Sequence, residues 1–230
     1  MIESFEHLAE KGSPVSANEK PVWMSVAAAV LLGAMWLVFE SGLLDPKVSA
    51  ATGPASDQLA ELTVAPAGSM TGYSRERFKH WIPQPDAGKN CNTREAVLAR
   101  DGESVKANAA CEVTSGSWTS LYTGEKVAQA RGVDIDHMVP LANAWRSGAN
   151  EWDDAKRQQF ANDMSLPQLV AVDSSSNRSK GDQDPSTWKP TARGQWCVYA
   201  TDWITVKKSY GLTVTDAEKK ALTEMLATCK

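Results

Sequence analysis

The stretch from Asp134 to Asp182 constrains this chain most. It opens with Asp134-Ile135-Asp136-His137-Met138-Val139-Pro140-Leu141. It closes with Gln168-Leu169-Val170-Ala171-Val172-Asp173 and then Ser174-Ser175-Ser176-Asn177-Arg178-Ser179-Lys180-Gly181-Asp182. The two short apolar runs, rich in branched residues, read as strands. The polar segment between them reads as helices over 141–149 and 152–163, with Ala142, Trp145 and Ala149 at helical spacing. The basic segment after the second strand reads as the start of a further helix at Asn177. If the first strand is regular, Asp134 and Asp136 share one of its faces, which makes Asp134 a candidate auxiliary metal ligand or a support for the residues that hold the metal. Strand, strand and helix in this order give an α+β unit with a small antiparallel sheet and surrounding helices.

The residue types at the strand ends suit phosphodiester hydrolysis. That reaction needs an activated water and a cation to hold charge on the phosphate and the leaving oxygen. His137 is the one histidine in the second half of the chain, and an imidazole titrating near neutrality serves as a general base. Asp136, pointing to the other side of the strand, supplies a carboxylate to a divalent cation, and Asn177 supplies a neutral carbonyl oxygen. Oxygen ligands completed by water and phosphate favour Mg²⁺ or Mn²⁺ over Zn²⁺. Arg178 and Lys180 are candidates for phosphate contacts at a helix N-terminus. Each residue alone also has an ordinary reading. His137 is then a hydrogen-bonded structural residue, Asn177 a turn residue after the serines, Asn-Arg-Ser-Lys-Gly a solvated loop, and Asp134 a surface acid.

Taken together, Asp136-His137-x-x-Pro140-Leu141 followed by Asn177-Arg178-Ser179-Lys180-Gly181-Asp182 resembles the HNH, or ββα-metal, endonucleases. The match is to the subgroup that includes the C-terminal nuclease domain of the GmrSD restriction enzymes and many small exported nucleases. The resemblance runs from about Tyr73 to Cys229. It implies a ββα core, one divalent cation on Asp136 and Asn177, and His137 as base. It implies DNA, or RNA, as the partner, and products with 5′ phosphate and 3′ hydroxyl ends. Arg94 resembles part of a Cys-x-Thr-Arg block upstream of the motif. One departure stands out. The family places an Asn at the start of the second strand, where it braces the loop carrying the base. Here Gln168 occupies that place, with the same amide on a longer arm, and Asn162 is the other candidate for the brace, otherwise a helix C-cap or turn residue.

The rest of the chain sets the context. Residues 1–20 form a polar tail. Residues 21–39 hold no charge and carry Trp23 and Trp36 near the ends, so they predict a transmembrane or signal-anchor helix. The expectation is a single-pass membrane protein with an exported C-terminal domain. The alternative is secretion after cleavage near Ala50, where small residues cluster. Residues 40–70, rich in Gly, Pro, Ala, Ser and Thr, read as a flexible linker, and 71–230 as the nuclease domain. Cys91, Cys111, Cys197 and Cys229 are even in number and lack Cys-x-x-Cys spacing, which argues against a zinc knuckle. The shortest loops pair Cys91 with Cys111 and Cys197 with Cys229, in an oxidising compartment.

Within the domain, Ser74–Trp81 and Asn92–Asp101 read as helices. Cys111–Tyr122 reads as a hairpin turning at Ser115-Gly116-Ser117, and two closing helices follow, the second opened by a Thr215/Glu218 capping box. The net charge of −4 argues neither for nor against nucleic acid, since five acids against two lysines in the first forty residues supply most of it. No nucleotide-binding glycine motif or nucleophilic Ser-His-Asp arrangement competes, and no small-molecule cofactor is implied. The competing class is an inactive nucleic-acid-binding module, with Gln168 as its mark.

Overall fold

The computed structural model describes residues 54–230. The expected membrane helix at 21–39, the tail at 1–20 and the possible cleavage point near Ala50 lie outside the described residues. Among the described residues no helix is long and apolar enough to cross a membrane. The described fold is α+β, and it departs from the expected architecture in having no transmembrane element among its own helices.

The chain begins with α1 (Ala55–Glu61), inside the stretch read as linker. Leu59 and Leu62 are buried there against the closing helices. Val64 bridges to Val214, and Gly68 donates its N–H to the carbonyl of Arg146 at 2.7 Å. A Cβ at Gly68 would lie 3.0 Å from that oxygen, so the close approach favours glycine. Residues 64–68 are thus tied to the domain by backbone hydrogen bonds. The expected helix at Ser74–Trp81 is only a 3-10 turn, Arg75–Arg77, capped by the Ser74 hydroxyl. Next come α2 (Thr93–Asp101), capped by Asn92, and β1 (Glu103–Ala107).

The expected Ser-Gly-Ser turn is not one. β2 (Val113–Thr119) runs straight through it and pairs with β1 on one side and β3 (Lys126–Val127) on the other, all antiparallel. The turn sits earlier, where Asn108 gathers the backbone N–H groups of Ala110 and Glu112. Gly116 instead makes room for Trp118, because a Cβ there would lie 2.6 Å from the indole. Trp118 is fully buried and donates its Nε1–H to the carbonyl of Leu98 at 2.8 Å.

The second sheet pairs β4 (Val133–His137) with β5 (Leu169–Asp173), antiparallel, with Asp136 opposite Val170. Its two faces differ. Val133, Ile135, Leu169 and Ala171 join Val97, Leu98, Val113 and Trp118 in one apolar cluster. Asp134 and Asp136 face α5 (Ser174–Lys180), which follows β5 directly under an Asp173 cap. The helix thus starts three residues before the expected Asn177. The free edge of β5 is covered by side chains. Arg100 donates to the Leu169 carbonyl and the Ala171 N–H donates to Asp101, which blunts an otherwise open strand.

Between the strands lie α3 (Leu141–Arg146) and α4 (Asp154–Ala161). The larger core surrounds α6 (Trp196–Tyr210), whose Tyr199, Ala200, Trp203, Ile204, Val206 and Tyr210 are all buried. Gly211, at φ 66°, ends it in the left-handed conformation that glycine takes without strain. α7 (Asp216–Leu226) opens with the Thr215/Glu218 capping box. Glu218 also accepts from Trp203 Nε1 and from buried Lys207, which joins α6 to α7. Two disulfides, Cys91–Cys111 and Cys197–Cys229, clamp the α2 region and the C-terminus.

Candidate active site

At the end of β4 a cavity of about 270 Å³ is lined by Tyr73, Arg75, Asp136, His137, Asn177 and Asp182, among others. Strand alternation sends Asp136 and His137 to opposite faces, and the cavity wraps the strand end so that both reach it. α5 lies across the Asp face. Ser174 and Asn177 donate to Asp134 at 2.8 and 3.1 Å, and Lys180 donates to Asp136 at 2.7 Å. The helical spacing 174, 177, 180 therefore matches the strand spacing 134, 136. Asp134 holds Asn177 by its amide nitrogen, and the amide oxygen accepts no hydrogen bond among the described residues.

Asp136 is buried. Its Oδ2 accepts from Lys180 and from the Tyr122 hydroxyl, while Oδ1 takes no hydrogen bond among the described residues. Asp136 and Asn177 both line the cavity, and their Oδ1 atoms are the oxygens that could hold a hard divalent cation. No group of three or more His, Cys, Asp and Glu side chains placed to hold a metal occurs among the described residues. Two oxygens completed by water and phosphate fit Mg²⁺ or Mn²⁺, which keep much of their hydration.

Lys180 corrects one expectation. It is fully buried and also donates to the His137 carbonyl at 2.9 Å, so it cannot meet a phosphate. Burial pushes its pKa down, and the carboxylate of Asp136 works against that shift. Arg178 is exposed on the outer side of α5 and has no side-chain partner among the described residues.

His137 is buried, and its Nε2 lies 3.0 Å from the Ala161 carbonyl at the end of α4. A carbonyl only accepts, so Nε2 carries the proton and Nδ1 has a free lone pair. Burial lowers the imidazole pKa to about 3, with the charge of Arg75 adding to the effect. The ring is therefore neutral at physiological pH, with the Nδ1 lone pair unprotonated. The Trp81 ring stacks on it at 5.8 Å.

Gln168 is fully buried on the far side of the same loop. Its amide accepts from the Val139 N–H at 3.1 Å and donates to the Val139 carbonyl at 2.9 Å, and its own carbonyl accepts from Met138. The longer arm reaches both backbone groups of the residue two past His137. Asn162 serves another loop. It accepts from the Ile82 N–H and the Thr93 hydroxyl and donates to the carbonyls of Lys79 and Gln158. Arg94 pairs with Glu95 and stays out of the cavity.

Three contributors were given no role from sequence. Tyr122 reaches Asp136 only through the fold, and no local pattern marks it. Asp182 is held at the cavity by Arg146 at 2.8 Å. Arg75 lines the cavity, exposed and without a side-chain partner among the described residues. The alternation of bases and aromatics from Tyr73 to Trp81 was its available signal.

Residues 89–225 match the family model of the GmrSD restriction endonucleases, C-terminal domain. A protein of Arthroderma benhamiae described as an "Uncharacterized secreted protein" is 53% identical over 175 residues, spanning 76% of this chain and 84% of that protein. No solved structure matches. That relative is described as secreted, which runs against the expected single-pass membrane protein and the expected membrane partner. With more than half of its length matched to that family model, this chain belongs to the family of GmrSD restriction endonuclease C-terminal domains.

Proposed function

We propose that this protein is a secreted, metal-dependent endonuclease that hydrolyses phosphodiester bonds of DNA, and of RNA as a second substrate. The observation that carries this reading is the single cavity shared by the Nδ1-free imidazole of His137 and the unpartnered oxygens of Asp136 and Asn177. Asp136 and Asn177 would hold one divalent cation. When bound, that cation supplies electrostatic stabilisation of the phosphate and of the leaving 3′ oxygen. His137 Nδ1 takes a proton from a water that attacks phosphorus in line. The Ala161 carbonyl keeps the proton of the resting base on Nε2, and Gln168 fixes the loop behind it. Arg75, which lines the cavity, and the exposed Arg178 bind phosphate oxygens. The products carry 5′ phosphate and 3′ hydroxyl ends.

In this reading cleavage shows little sequence preference, because the residues are assigned to phosphate, metal and water and none to a base edge. The test is incubation of the oxidised full chain with plasmid DNA in Mg²⁺, Mn²⁺ or EDTA, followed by end analysis of the products. Nicking in metal but not in EDTA, with 5′ phosphate ends, is the expected result. A folded protein that retards DNA yet cuts it with neither metal would favour a binding module instead.

A further inference from the structure

Trp81 has a backbone φ of 60°, in the left-handed region that a bulky aromatic residue rarely occupies. Such a conformation persists only where the surroundings impose it, and it concentrates at functional sites. Here the surroundings are explicit. Asn162 grips the residues on either side of the pair His80-Trp81, accepting from Ile82 N–H at 3.2 Å and donating to the Lys79 carbonyl at 2.8 Å. Thr93 donates to the Ile82 carbonyl from its backbone, and the Gln84 N–H donates to the carbonyl of Cys91, a disulfide residue.

The held conformation lays the Trp81 indole on the His137 imidazole, centroids 5.8 Å apart and planes 27° apart. The His80 ring meets both edge-on, at 5.1 Å from Trp81 and 6.1 Å from His137. His80 is itself fixed by donating Nδ1–H to the Phe78 carbonyl at 2.7 Å. The Ala161 carbonyl restrains one atom of the imidazole and leaves rotation about that hydrogen bond open. A flat ring against its face removes that freedom.

We infer that Trp81 is a positioning residue for the general base: stacked on His137, it sets the plane in which Nδ1 meets the attacking water. The inference rests on His137 being the base. Trp81 touches neither substrate nor metal in this account and acts through His137 alone.

The test uses the oxidised full chain, plasmid DNA and Mg²⁺, with single-turnover rates and KM measured below the unfolding temperature of every variant. Trp81→Ala should lower the rate constant about 100-fold, the scale of loss for a reacting group displaced by an ångström. KM should stay within about 3-fold. Trp81→Phe, which keeps a flat ring, should recover most of the rate. Trp81→Gly relieves the left-handed backbone and should show the same rate loss if the alanine variant folds poorly. In a His137→Ala background, Trp81→Ala should cost nothing further, because the two act as one unit. A folded Trp81→Ala or Trp81→Gly protein with the wild-type rate overturns the inference, as does an equal loss with and without His137. Wild-type cleavage by His137→Ala would instead refute the assignment of the base itself.

Discussion

Lys180→Met tests whether the motif lysine is an internal counter-ion or a phosphate ligand. The Lys180 ammonium is fully buried 2.7 Å from Asp136, whose side chain is 9% exposed, and also donates to the His137 carbonyl. Methionine fills a similar volume but leaves the carboxylate with the Tyr122 hydroxyl alone and the carbonyl with no donor. Breaking a buried ion pair by removing one partner typically costs about 3–5 kcal/mol. A surface lysine facing solvent would lose less than about 0.5 kcal/mol on the same change. The two readings are thus separated by several kcal/mol. Urea unfolding of the oxidised chain reads the difference. At a slope of about 2 kcal/mol per molar, the midpoint should fall by roughly 1.5–2.5 M. The double variant Asp136→Asn/Lys180→Met should regain part of that loss, because the uncompensated charge is gone. KM for DNA should change little in whatever fraction remains folded. A midpoint shift below about 0.3 M, or a raised KM with unchanged stability, would refute the argument and return Lys180 to the phosphate surface.

Gln168→Leu removes both hydrogen bonds to Val139 at a fully buried position. Two unmet backbone groups should lower stability by about 2–4 kcal/mol in the same denaturation assay. Arg178→Ala, at an exposed and unpartnered side chain, should leave stability unchanged and weaken DNA binding, lowering the salt slope of log K by roughly 1 in a titration from low to high salt. Asp202, on α6, has its pKa raised to about 7 by burial. Between the unfolded value and pH 7 the folded state binds the extra proton, so its contribution to stability falls as pH rises through that range. Asp202→Asn should therefore stabilise the protein at pH 8, by on the order of 2 kcal/mol, and change little at pH 4. Thermal or urea melts at the two pH values measure this directly.

The sequence carried the candidate site because its parts are local. Two strands and a helix within fifty residues set Asp136, His137 and Asn177 by short-range periodicity, and pairing β4 with β5 brings them to one cavity. What surrounds the unit comes from far along the chain and had no local mark. Tyr122 and Trp81 reach Asp136 and His137 across loops, and their roles follow from packing alone. Lys180 shows the limit of residue type as a guide. A lysine in a basic motif after a serine run reads as a surface cation at a helix N-terminus, yet the helix begins at Ser174 and ends at Lys180, which lies on the same face as Asn177 and so points inward onto Asp136. Ser115-Gly116-Ser117 misled for a related reason. Small residues mark turns, but they also admit a large neighbour, and here the neighbour is Trp118. Likewise, the Ala- and Pro-bearing composition before residue 70 suggested open linker, while Leu59 and Leu62 were enough to dock α1 on the core.

The central claim is that His137 is the base of a metal-dependent phosphodiester hydrolysis. The most direct measurement compares plasmid cleavage by the oxidised full chain and by His137→Ala, each in Mg²⁺ and in EDTA. The account predicts nicking by the wild type in Mg²⁺, none in EDTA, and a loss of at least about 100-fold in His137→Ala, the contribution typical of a general base. Equal cleavage by the two proteins, or cleavage that persists in EDTA, would contradict it.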